Sequence, residues 1–95
     1  MADEPTPDSL EARRNRLRWR SRRGMLELEL LLQPFVSSRL AVVDGRLLEA
    51  FERLLDCEDW DIFNWLQERE TAPNEFSHLL AEVRQAQARS DQPAA

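Results

Sequence analysis

Few residues in this chain have the types and spacing for chemistry. It holds one histidine, His78, and one cysteine, Cys57. His78 adjoins the apolar stripe of a predicted helix. A general base needs a positioned partner, so this histidine is expected to be a partly exposed surface residue. Cys57 follows an apolar run and adjoins Asp56 and Glu58. Acidic neighbours raise a thiol pKa, the reverse of what a nucleophile needs. No Cys/His cluster has zinc spacing. Asp56, Glu58, Asp59 and Asp61 lack the alternating ligands and central glycine of a calcium loop. They are expected to form an acidic surface and to supply negative charge at a helix start. No catalytic centre, resident cofactor or metal site is expected.

The arginines are more informative. Arg13, Arg14, Arg16, Arg18, Arg20, Arg22 and Arg23 lie within eleven positions that contain no acid. The remainder carries six arginines against eighteen acids, and the formal net charge is −5. A solvated charged face leaves the mutual repulsion of this stretch unexplained. Nucleic acid would satisfy it, although the chain is acidic overall and only Trp19 interrupts the arginines. An acidic surface on a protein partner would serve as well, because guanidinium pairs bidentately with carboxylate. Next comes Arg23-Gly24-Met25-Leu26-Glu27. If this segment is helical, Arg23 and Glu27 share one face, four positions apart. Gly24 has two readings, a helix boundary or close backbone approach by a partner.

Hydrophobic periodicity supplies the elements that must position these residues. Two glycines in 95 residues favour helix over sheet. Residues 1–7 read as a disordered tail, 8–88 as a single helical domain and 89–95 as a frayed end. Helix one should start at Asp8, with Glu11 reaching back in a capping box, and run to Trp19 or Arg20. Helix two should span Arg22 to Val36, with Met25, Leu28, Leu32 and Phe35 on one stripe and a kink or end at Pro34. Asp44 is the expected cap of helix three, with Val43 and Leu48 as its staple. Helix four should occupy about Asp59 to Gln67, and helix five should place Pro73 at its first position. Leu28, Leu32, Phe51, Leu55, Phe63 and Leu80 should meet in one core. The expected fold is all-α, a compact five-helix antiparallel bundle.

No run approaches the roughly 20 apolar residues of a membrane span. The N-terminus has no hydrophobic signal region, and Asp3, Glu4, Asp8 and Glu11 argue against a mitochondrial presequence. All thirteen basic residues are Arg, which genomic base composition accounts for. A single cysteine is compatible with the cytoplasm. Together these features suggest a bacterial cytoplasmic protein.

Two stretches resemble a known family. Arg16-Leu17-Arg18-Trp19-Arg20-Ser21-Arg22-Arg23-Gly24-Met25-Leu26-Glu27-Leu28 is similar to the signature region of the succinate dehydrogenase flavinylation factors, small assembly proteins of bacteria and mitochondria. Leu54-Leu55-Asp56-Cys57-Glu58-Asp59-Trp60-Asp61-Ile62-Phe63-Asn64-Trp65-Leu66 resembles a second family stretch. The matches extend from about Arg16 to Val83. The resemblance implies a five-helix factor that binds the flavoprotein subunit of succinate dehydrogenase, in bacteria also that of fumarate reductase. It implies that the factor promotes covalent attachment of FAD to a histidine of that client, the bond-forming chemistry belonging to the client and its flavin. FAD would be held by the client, and the factor would be monomeric when free.

Carried over by position, Arg23, Gly24 and Glu27 match the family's Arg-Gly-x-x-Glu motif. Arg16, Trp19 and Met25 match the same partner-binding surface, and Trp65 matches an aromatic that supports the fold. Glu29 stands where many bacterial members have Asp, and Trp60 where many have Pro. The competing readings are a small nucleic-acid-associated regulator that uses the arginine stretch, and an antitoxin-like adaptor.

Overall fold

A computed structural model describes residues 9–91. Among these the chain forms five α-helices: α1 (Leu10–Arg20), α2 (Leu26–Ser38), α3 (Gly45–Leu55), α4 (Asp59–Leu66) and α5 (Ser77–Asp91), the last entered through a 3₁₀ turn, Asn74–Phe76. No described residue is in a strand. The all-α bundle expected from the periodicity is the observed fold. α2 packs chiefly against α5 and also touches α4, while α1 packs on α3.

The core follows the predicted stripes. Leu28, Leu32, Leu48, Phe51, Leu54, Leu55, Leu79, Leu80 and Val83 are buried, and Phe35 meets Phe51 edge to face at 5.3 Å between ring centroids. Phe63 packs against this cluster while remaining partly exposed. Burying each large apolar side chain contributes roughly 1.5–3 kcal/mol, so this cluster dominates stability. From α1 only Leu17 reaches the core.

Helix ends depart from expectation in instructive ways. Asp8 lies outside the described residues. Ser9 caps α1, its hydroxyl accepting from the Ala12 N–H at 3.0 Å. α2 starts at Leu26, four residues later than expected. α1 instead closes at Ser21, whose N–H donates to the Leu17 carbonyl at 2.9 Å and whose buried hydroxyl donates to the Arg18 carbonyl at 2.7 Å. Residues 22–25 are therefore a linker, and Arg23 and Glu27 share no helical face. The reason is tertiary, because Arg23 is drawn toward α3 and α4.

Pro34 neither ends nor breaks α2, which continues to Ser38. The proline shares a flank with the exposed Leu30, where water can serve the carbonyl left without a donor. The hydroxyls of Ser37 and Ser38 bond back to the Gln33 and Pro34 carbonyls, supporting the last turn. Asp44 caps α3 as expected, accepting from the Leu47 N–H at 3.0 Å, with Val43 and Leu48 buried beside it. Pro73 precedes the 3₁₀ turn and is not the first residue of α5, its carbonyl accepting from the Phe76 N–H at 3.0 Å. α5 runs beyond Ala88 to Asp91.

Candidate docking face

Three arginines of the stretch, Arg13, Arg20 and Arg23, pair with carboxylates within the fold, and Arg14 donates to carbonyls. Arg13 pairs with Glu52 on α3 at 2.9 Å, and this hydrogen bond raises the guanidinium pKa above its ordinary value. Arg14 donates to the Leu40 and Val43 carbonyls at 3.0 and 3.3 Å, fastening α1 to the α2–α3 connection. Arg20 pairs with Asp56, and Arg18 donates to Asn15. The like charges thus meet acids and carbonyls of distant elements, which offsets the repulsion that the sequence leaves open. Asp56 and Asp59, expected as an acidic surface and helix-start charge, also act as counter-ions to this stretch.

Arg23 is the most deeply engaged of the expected site residues. Its Nε donates to Asp59 at 2.7 Å, Nη1 to the Leu55 and Arg20 carbonyls at 2.8 and 3.2 Å, and Nη2 to the Cys57 carbonyl at 3.0 Å. Its side chain is 16% exposed. Leu55 is the last residue of α3, whose final carbonyls have no partner within the helix. Asp59 opens α4. The guanidinium therefore bridges a helix C-terminus and a helix N-terminus, each carrying the partial charge it favours or tolerates through a carboxylate.

The other expected residues divide by exposure. Arg16, Gly24 and Glu27 are exposed, while Met25 packs against the core from the linker. Trp19 is 74% exposed, with the Arg22 guanidinium 5.7 Å from its ring centroid. Gly24 has no left-handed backbone, and a Cβ built on it meets nothing within 4 Å. Neither conformation nor internal packing requires glycine there. Gly24 and Met25 form one wall of an open cleft of about 450 Å³, with Asp59 and Trp60 across it. Trp65 stacks at a tilt on Phe76, 5.8 Å between centroids, in keeping with a supporting role.

Leu26, Leu30 and Trp60 are exposed apolar residues whose exposure the sequence left unassigned. Leu26 and Leu30 are 65% and 61% exposed, one turn apart on α2. Trp60 is 64% exposed and meets Phe63 edge to face. The leucines had a signal, since they fall on the side of α2 away from Leu28, Leu32 and Phe35. Trp19, Arg22, Gln33 and Ser37 border a separate groove beside α2.

The remaining reactive side chains sit elsewhere. His78 is exposed, with Nε2 3.7 Å from Glu82. Burial first, then the charges of Asp61, Asp56 and Glu75, push the Cys57 thiol above its ordinary pKa, with Arg23 opposing.

The described residues define a small helical protein with exposed indole, leucine and arginine side chains and an exposed, unobstructed glycine. The chain belongs to the family described as flavinator of succinate dehydrogenase, whose model matches residues 15–87. It is 42% identical over 84 residues to the FAD assembly factor SdhE of Xylella fastidiosa, covering 87% of this chain and 86% of that protein. The FAD assembly factor SdhE of Pseudomonas putida is 51% identical over 55 residues, 58% of this chain and 66% of that one. That of Shewanella oneidensis is 41% identical over 70 residues, 73% of this chain and 85% of its own. No described helix is long and apolar enough to cross a membrane.

Proposed function

We propose that this chain is an assembly factor that binds the flavoprotein subunit of succinate dehydrogenase and promotes covalent attachment of FAD to it. Gly24 is the observation that carries the docking assignment. It is exposed, it faces open space, and nothing within the fold explains a glycine there. A partner backbone that approaches closely does explain it. Arg16, Trp19, Met25 and Glu27 belong to the same docking face, with Leu26 and Leu30 extending it.

The factor acts by holding rather than by reacting. A protein that binds one arrangement of its client shifts the client population toward that arrangement without chemistry of its own. The raised thiol pKa of Cys57 and the exposed setting of His78 support this reading, since neither is prepared as a nucleophile or base. FAD belongs to the client. The client range includes the fumarate reductase flavoprotein, the free factor is a monomer, and the site of action is the bacterial cytoplasm.

The test is complementation. Cells lacking their own flavinylation factor should regain covalent flavin on the dehydrogenase flavoprotein when this chain is expressed, read as fluorescence of the denatured subunit, and the two proteins should co-purify. Expression of folded protein without either result would contradict the proposal.

A further inference from the structure

We propose that Arg23 is a positioning residue: it holds the 22–25 linker against the α3–α4 turn and so fixes Gly24 on the docking face, without itself touching the client. The inference rests on the docking reading above and assigns one motif residue a different role within it. Arginine offers five N–H donors. Four of them are used within the chain, on Asp59, Leu55, Arg20 and Cys57. The planar fork that would grip a partner carboxylate is already occupied. The acceptors come from α1, α3, α4 and the turn between α3 and α4, so the side chain ties together every element that borders the Gly24 cleft.

At its two ends the linker is held by the Arg22 N–H, which donates to the Trp19 carbonyl, and by the Met25 carbonyl, which accepts from the Glu29 N–H, each at 3.1 Å. Residues 22–25 are not helical, and Met25 is the one linker side chain that packs against the core. Gly24 itself makes no contact that a Cβ would disturb. Its position relative to Trp60 is therefore set by its neighbours, Arg23 through hydrogen bonds and Met25 through packing. Lysine keeps the charge of Arg23 but concentrates three donors on one atom, and it cannot span four acceptors in this geometry.

The experiment has two readouts. The first is amide hydrogen exchange at Arg22 and Glu29 in the free protein, whose N–H groups donate to the Trp19 and Met25 carbonyls at the two ends of the linker, for the unaltered chain and Arg23→Lys. The second is the affinity of the purified FAD-loaded flavoprotein subunit for the unaltered chain, Arg23→Lys, Gly24→Ala and the double variant. Positioning predicts faster exchange at Arg22 and Glu29 in Arg23→Lys and roughly tenfold weaker binding. It also predicts that the losses in the double variant fail to multiply, because both act through the same contact. Unchanged exchange together with multiplying losses would mean that Arg23 meets the client directly, and would overturn the proposal. Unimpaired binding by Arg23→Lys would overturn it too. If Arg23→Lys does not fold, Asp59→Asn weakens the same clamp from the other side and is read the same way. Absence of binding by the unaltered chain would instead sink the docking reading itself, while the exchange measurement would still report whether Arg23 orders the linker.

Discussion

At the residue scale, Glu68 shows how a local strain can be read and tested. Its φ of 59° is in the left-handed region, where a side chain is disfavoured. The conformation is set by the end of α4, where the Glu68 N–H donates to the Trp65 carbonyl and the Arg69 N–H to the Asn64 carbonyl. This is a Schellman closure, in which glycine usually takes the position Glu68 holds. Glu68→Gly should therefore stabilise the protein by about 0.5–1 kcal/mol, measured by chemical denaturation. Cys57 allows a second test. Its thiol pKa is raised, so less thiolate is present at neutral pH than in an ordinary cysteine. Alkylation at pH 7 should be slower than for a free thiol, and should accelerate only as pH rises through the elevated value. Rapid labelling of the folded protein at pH 7 would contradict the described surroundings of this residue.

At the element scale, the helices were legible where local signals and burial agree. Asp44 with its Val43–Leu48 staple announced α3, whose Leu48, Phe51, Leu54 and Leu55 form its buried face. The start of α2 was not legible. Arg22 to Val36 reads as helix by periodicity, yet residues 22–25 stay outside it. What decides this is Arg23 reaching residues more than thirty positions away, and no local rule contains that contact. The same limit hid the fate of the arginine stretch, since Glu52, Asp56 and Asp59 become its partners only once α1, α3 and α4 are assembled. Of the candidate site, the motif itself was legible from the resemblance. The inward role of Arg23 and the exposure of Trp60 were not. Leu55 tests the packing at this scale. It is buried at the end of α3, and Leu55→Ala should cost roughly 2–5 kcal/mol in denaturant unfolding. A near-neutral result would mean that α3 does not pack as described.

At the scale of the whole molecule, the arginine stretch and the acidic remainder are partners within one fold. Their pairing leaves less cationic surface than the sequence suggests, because Arg13, Arg14, Arg20 and Arg23 are directed at acids or carbonyls. Binding to random duplex DNA should accordingly be no tighter than the 10⁻⁴ to 10⁻⁶ M common for non-specific association at physiological salt. Submicromolar binding to such DNA would favour a nucleic-acid role instead. The proposed docking face comprises the exposed residues Trp19, Gly24, Leu26, Glu27 and Leu30. The most direct measurement is covalent flavin on the client in cells that lack their own factor and express Gly24→Leu or Glu27→Ala. Both changes fall on exposed positions, where effects on stability usually stay within about 0.5 kcal/mol. Thermal melts of the purified variants should match the unaltered protein. The account predicts that these folded variants leave the flavoprotein subunit with markedly reduced flavin fluorescence after denaturation. Normal covalent flavin with both folded variants would contradict the assignment of this face to the client.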